Sequence, residues 1–466
     1  MFADSMPFGG RHLSDLFSTA AMRSIFNERN SLQSLLDVEV ALARAEAGLG
    51  IIPDAAAEAI ALAARADRLD LDELAKGTER AGLPIVNLVE QLVRLTGTEL
   101  GEFVHWGATS QDIMDTSLVL QIRQALAFLR RDLDRLIEVV AGLAHQHRDT
   151  AMVGRTKLMH ALPITFGFKA AVWLSGLLRH RQRLGELTPR VLQVQFGGAV
   201  GTFASLGADG PRVRTALARA LDLDEPVIGW HAMRDSLTEA VGFLALLSTT
   251  LSKIATDLSL MAQTEVGEIL EPGGEGHGAS STMPHKRNPI ICEQILSSGL
   301  ALRRLSGTML DASIHDHERA TGPWQAEWLV VPQAFLLISG ALRGAIRLCS
   351  GLVVRPDIMK ANLDRTQGLV TAEAMMMALA EHLGRHHAHV LVSAACAAST
   401  GRRLAETLAG IPAVAAHFTV EQIDAVLDSS RYTGSAGEEV DRVLAAASHS
   451  TGASRTSLSP SGEHTK

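Results

Sequence analysis

Leucine returns every seventh residue at Leu237, Leu244, Leu251 and Leu258, with Val241, Ser248, Ala255 and Ala262 filling a second seam. That spacing lays one apolar stripe along a helix and is incompatible with the two-residue period of a strand. About 25 helical residues span roughly 37 Å, more than a compact domain needs. Helices this long, with small residues in a seam, point to a bundle and to bundles shared between subunits. Similar stretches run through 115–146, 163–187, 290–313 and 325–350. Aromatics are only 4% of the 466 residues, with one Tyr, a bias against sheets. The expectation is an all-α chain without repeats or a strand-rich region.

The flanks differ from this centre. Residues 1–110 read as a small helical domain. Within it Leu32, Leu35, Leu36, Val40, Leu42 and Ala45 recur at helical spacing, and Gly50 and Pro53 act as stop signals. The long-helix domain is expected over 111–355, and shorter helices follow Pro356 to about 447. The tail 448–466, rich in Ser and Gly, is expected to be disordered.

A formal net charge of −8 argues against nucleic acid as the main partner, since phosphate backbones need a broad basic surface. Small anions need only a local cationic pocket. Cys292, Cys349 and Cys396 are far apart and in no CxxC spacing, which fits a reduced cytoplasm without a disulfide framework or zinc site. The opening MFADSMPFGGRHLSDLF has no basic stretch followed by an apolar run, so no signal peptide is expected. No uninterrupted apolar segment reads as a membrane span.

Four polar stretches interrupt the helical pattern. In 104–116, His105, Thr109, Ser110, Gln111 and Asp112 precede a helix. Thr109 or Ser110 can cap it, with Asp112 favourable to its dipole, and the same free N–H groups suit a carboxylate ligand. In 154–167, Arg155, Lys157 and His160 precede Pro163. On a helical turn Lys157 and His160 would share a face, and a neighbouring cation lowers the proton affinity of a histidine. The alternative is a satisfied surface histidine.

The third stretch, GHGASSTMPHKRNP at 276–289, sets Ser280 and Ser281 between glycines and the cations Lys286 and Arg287. No GK[ST] follows, so it is not a phosphate loop of the Walker type. A serine acts as a base only where a cationic, dry site stabilises its alkoxide. In the fourth, 314–328, His315, His317 and Glu318 lack the H-E-x-x-H spacing of a metal site, whereas Arg319 suits bidentate carboxylate binding. The HHAH run at 386–389 reads as a solvated helix face.

SSTMPHKRNP at 280–289 closely resembles the signature loop of the fumarase/aspartase superfamily. GATSQD at 107–112 and GRT…P…G at 154–167 are similar to its two other signature regions, in the family's order. FSTAAMRSIF (17–26), ATSQDIMDTSLVLQIR (108–123), VLQVQFGGAVGTFASLG (191–207), HERATGPWQAEW (317–328) and LDRTQGLVTAEA (363–374) resemble the bacterial 3-carboxy-cis,cis-muconate cycloisomerase branch. The resemblance covers roughly residues 13–447.

This resemblance implies a three-domain fold around a long helical bundle, assembled as a homotetramer whose active sites each draw on three subunits. It implies a small polycarboxylate substrate, an aci-carboxylate intermediate, and neither cofactor nor metal. By position, Ser280 would be the acid/base, with His160 the other candidate for the proton. Lys286 and Asn288 would bind one carboxylate, Thr109 and Ser110 another. His105, Gln111, Arg155, Lys157, Gln263, Ser281, Met283 and Arg319 would complete the substrate-binding set. The implied reaction is lactonisation of 3-carboxy-cis,cis-muconate in protocatechuate-type aromatic degradation.

Three positions depart from the family pattern. Ala279 replaces the usual leading glycine, Met159 stands for Gln in GRTxLQHA, and Lys157 stands where most lyases of the superfamily carry His. A cation at 157 suits an extra anionic group, as in a sulfomuconate. The alternatives are an elimination lyase, releasing an amine, nitrite or similar group from a substituted succinate, and a non-catalytic helical tetramer. The intact Ser280, Lys286 and Asn288 argue against the last.

Overall fold

Five long helices dominate the chain: Ser110–Gln146, Phe166–Val191, Asp235–Met261, Ile290–Ala312 and Pro323–Ser350. The computed structural model describes residues 12–455 except 274–277, 280, 281, 284 and 400, together with residues 8 and 10; side chains are described to Ser448. The seven-residue seam is the packed face of its helix. Leu237, Val241, Leu244, Ser248, Leu251, Ala255 and Leu258 are all buried, and Ala262 is half-buried just beyond the helix end. The Asp235–Met261 and Pro323–Ser350 helices are long and apolar enough to cross a membrane, contrary to the expectation that no segment is. More than half of each apolar window is buried within the protein, as in the core helices of soluble proteins.

The contacts divide the chain into two units. The first comprises Met1–Leu133, His180–Ser252 and Gln294–Gly344; the second comprises Asp134–Arg179, Lys253–Glu293 and Ala345–Lys466. In the first, the Glu28–Gly48 helix is capped by the Asn27 side chain, which accepts from the Asn30 N–H. It stops where expected: Gly50 takes φ +73° and its N–H donates to the Ala47 carbonyl. Val38 and Glu39 take the buried positions, leaving Val40 half-buried.

That helix carries two buried carboxylates, Glu39 and Glu46, seven residues apart on one face. Neither Glu46 oxygen has a hydrogen-bond partner among the described residues. Burial, and then the neighbouring Glu39, push the Glu46 carboxyl up to about 9. The folded state therefore holds a proton that the unfolded chain releases above about pH 4.5. Stability falls as pH rises from that value to about 9. Glu46→Gln is expected to remove this slope, gaining on the order of 3 kcal/mol relative to wild type between pH 5 and pH 8. Denaturant unfolding at the two pH values measures it, and parallel pH dependences would refute it.

A charged cluster is fully buried in the same unit. Arg234 donates to Asp115 at 2.6 and 2.9 Å and to Glu327 at 2.9 and 2.5 Å, and its guanidinium lies 4.7 Å over the Trp230 ring. The Trp324 indole N–H donates to Asp115 at 3.0 Å. Burial opposes ionisation of Asp115, but Arg234 outweighs it and holds the carboxyl below its usual range.

The second unit adds short strands to the expected helical fold. Residues 151–165 form an antiparallel hairpin of β1 (Ala151–Thr156) and β2 (Met159–Thr165), and β3 (Ile269–Leu270) pairs with β4 (Val353–Val354). Among the described residues the architecture is predominantly helical with two small sheets. Val153, Thr156, Ile164 and Thr165 supply β-branched residues, and Pro163 sits in a strand of a two-stranded sheet, where a missing N–H is tolerated. The register shifts between Val153 and Arg155, and a Cβ on Gly154 would lie 2.8 Å from the Leu162 carbonyl oxygen, so the bulge needs glycine. The short C-terminal helices pack around Met375, Leu379, Leu404, Leu408 and Ile423. The last helix, Ala436–Arg455, runs past the boundary expected at 447, and 456–466 lie outside the described residues.

Candidate active site

In the first unit the site is organised by Asp112, in the first turn of the Ser110–Gln146 helix. Its Oδ2 accepts from the Thr109 N–H at 3.0 Å and the Gly198 N–H at 2.9 Å. Its Oδ1 lies 2.6 Å from His231 Nε2. One buried carboxylate thus ties the helix start to the 197–201 glycine loop and to a buried histidine. Thr109 stands at the position before the helix and its carbonyl accepts from the Asp112 N–H, so Asp112 rather than a hydroxyl caps the Thr109 N–H.

Gln111 is buried beside it. Its amide donates to Asp115 and to the His231 carbonyl, both at 3.0 Å, and its Oε1 accepts from Arg319 at 2.7 Å. Arg319 also donates to the Gly198 and Ala199 carbonyls, so this guanidinium is held by protein oxygens rather than by a carboxylate. His105 lies 2.6 Å from Glu39 and adopts φ +59°. Within this unit His105, Thr109, Ser110, Gln111 and Arg319 are brought together. His315 is buried 3.4 Å from Glu327, while His317 and Glu318 are exposed. No cluster of three or more His, Cys, Asp or Glu among the described residues is arranged to hold a metal.

In the second unit the hairpin replaces the helical turn expected for Lys157 and His160. Lys157 and Leu158 take φ +51° and +68° between the paired Thr156 and Met159, a two-residue turn with both central residues left-handed. Lys157 is exposed at this tip, whereas His160 lies opposite Arg155 in the ladder. Arg155 makes a bidentate pair with the buried Glu268 at 2.9 and 2.6 Å, and Asn362 donates to the same carboxylate at 3.0 Å. His160 Nδ1 is buried without a hydrogen-bond partner among the described residues. Burial first, then Arg155 and Arg365, lower the proton affinity of the ring. The direction is the expected one, but Lys157 is not its cause.

Of the signature loop, Ser280 and Ser281 lie outside the described residues. What is described is its neck: Ala279 bridges Arg287, and the Asn288 N–H donates to the Gly278 carbonyl at 2.9 Å. Gly278 takes φ +66°, and a Cβ there would lie 2.5 Å from the Asn288 carbonyl oxygen. Met283 and Lys286 are exposed and Asn288 is half-buried. Gln263, also exposed, closes the preceding helix by accepting from the Val266 and Gly267 N–H groups.

A family model described as Lyase matches residues 17–302, and one described as Adenylosuccinate lyase C-terminus matches 368–443. A protein of Bradyrhizobium diazoefficiens named 3-carboxy-cis,cis-muconate cycloisomerase is 45% identical over 93% of this chain and 97% of its own length. The chain belongs to the fumarase/aspartase superfamily of lyases. Another member, trans-aconitate decarboxylase 1 of Mycosarcoma maydis, is 43% identical over 93% of this chain and 88% of its own. The solved 3-carboxy-cis,cis-muconate lactonizing enzyme of Pseudomonas putida superposes with a TM-score of 0.90 at 43% identity, covering 95% of this chain and all of that one. Motif reading of this superfamily member missed Glu39, Asp115, His231, Arg234, Glu268 and Glu327. Asp115 and Glu327 lie inside quoted segments but were not singled out, and the other four lie outside the four polar stretches, so only their partners reveal what they do.

Proposed function

We propose that this chain is a cycloisomerase that lactonises 3-carboxy-cis,cis-muconate, acting in the cytoplasm as a homotetramer whose sites each draw on three subunits. The observation that carries the reading is the 45% identity, nearly end to end, to an enzyme of that name. The three-domain division at 110 and 355 belongs to the same proposal.

In the reaction one substrate carboxylate oxygen adds to the conjugated double bond, forming a C–O bond. The π electrons move to the carbon next to another carboxylate, giving an enediolate-like aci-carboxylate. Protonation of that carbon gives the lactone; the proton taken up matches the one lost when the attacking carboxyl ionised, so acid and lactone are isomers. Ser280 or His160 handles the proton; the lowered proton affinity of His160 makes its protonated ring a stronger acid and leaves the ring neutral over more of the pH range. Lys286 and Asn288 hold one carboxylate, and Thr109 and Ser110 another. His105, Gln111, Arg155, Gln263, Ser281, Met283 and Arg319 line or shape the site. Lys157, cationic and exposed, favours a substrate with a further anionic group such as a sulfomuconate.

The second reading is an elimination lyase acting on a substituted succinate, favoured by the match to the adenylosuccinate lyase C-terminus. Incubation with 3-carboxy-cis,cis-muconate is expected to remove its diene absorbance and yield a carboxymuconolactone. Unchanged absorbance, together with fumarate released from a substituted succinate, would reverse the assignment.

A further inference from the structure

Glu39 belongs to none of the signature segments, yet it is the group that His105 touches. Its Oε1 lies 2.6 Å from His105 Nδ1; the Glu39 side chain is 1% exposed and that of His105 19%. The other Glu39 oxygen has no hydrogen-bond partner among the described residues, so its charge is directed at this ring. A carboxylate at that distance takes Nδ1–H as donor and leaves Nε2 as the outward edge, without a protein partner among the described residues. His105 holds a left-handed backbone that a non-glycine residue adopts at a cost, which fits a ring whose direction is prescribed.

We propose that Glu39 is a positioning residue that fixes His105 with Nδ1–H inward and presents Nε2–H as a cationic donor to a substrate carboxylate. This deepens, and rests on, the reading of the adjoining helix start as a polycarboxylate site. The titratable groups facing the ring are Glu39 from the Glu28–Gly48 helix and Asp112 from the Ser110–Gln146 helix. Burial works against the charged ring, but the two carboxylates outweigh it, Glu39 foremost, and raise its proton affinity. Glu46 is protonated at neutral pH and adds no competing charge.

The test is calorimetric binding of tricarballylate, an unreactive tricarboxylate, between pH 5.5 and 8.5. It compares the wild type with Glu39→Gln, Glu39→Asp, His105→Asn and the Glu39→Gln/His105→Asn double variant. Glu39→Gln is expected to weaken binding about tenfold at pH 7.5 and less at pH 5.5, where protonation of the ring depends less on a neighbouring charge. Glu39→Asp, which keeps the charge, should retain the wild-type pH dependence and serves if the Gln variant folds poorly. The double variant should bind no more weakly than His105→Asn alone. An equal loss at every pH, no loss, or a further loss in the double variant would overturn the proposal, as would a wild type that binds no tricarballylate. Failure to turn over carboxymuconate with tricarballylate binding intact would instead retire the reaction assigned above.

Discussion

Arg234→Met is expected to destabilise the protein by about 3–5 kcal/mol, because it strands two buried carboxylates while preserving most of the side-chain volume. Asp115 and Glu327 are each bridged by this guanidinium, with the Asp115 and Glu327 side chains 2% and 0% exposed. The loss should shrink in acid. Asp115 has a depressed pKa in the wild type, so the stability it lends is present above about pH 3.8 and is lost as pH falls below that. In the variant the stranded carboxylates protonate more readily, which narrows the gap further. Denaturant unfolding at pH 7 and pH 3 measures both effects. A variant as stable as wild type at pH 7 would show that the cluster contributes packing and no net electrostatic stabilisation. Since Asp115 also accepts from the Gln111 amide, activity should fall beyond what the lost stability explains.

Ser280→Ala is expected to lower kcat by about a thousandfold, the range of a lost acid–base group, while leaving thermal stability unchanged. The stability half follows from the loop. Ala279, Thr282, Met283 and Lys286 around it are exposed, and local elements with little burial contribute little to global unfolding. Steady-state kinetics and calorimetric melting of the same preparation separate the two halves. Retention of kcat within a few-fold would remove Ser280 from the mechanism and leave His160 as the proton carrier. A large drop in Tm would mean that the loop is a structural clasp.

Much of the helical framework was legible because its signals are local. The Leu237 to Leu258 stripe and the Gly50 stop each depend on residues within a turn or two, and the structure uses them as read. The 151–165 hairpin was not legible in the same way. GRTKLMHALP has no Asn-Gly or Asp-Gly turn signal, and Lys157 and Leu158 take positive φ without the residues that usually do so. The periodicity of the long helices on either side drew the hairpin into a helical reading.

The candidate site divides along the same line. Sequence alone picked out the segments 105–112, 154–160, 286–288 and 319, since glycine, hydroxyl and cationic residues cluster there against an apolar background. Tertiary structure decided what those residues do. Arg155 is committed to Glu268 and Arg319 to backbone carbonyls, and Asp112 pairs with a histidine 119 positions away. His105 meets Glu39 across 66 positions. Helical spacing is set by the backbone of a single segment, so it can be read along the chain. The protonation and orientation of a buried side chain are set by whichever distant group the fold brings within about 3 Å, where desolvation makes each charge strong.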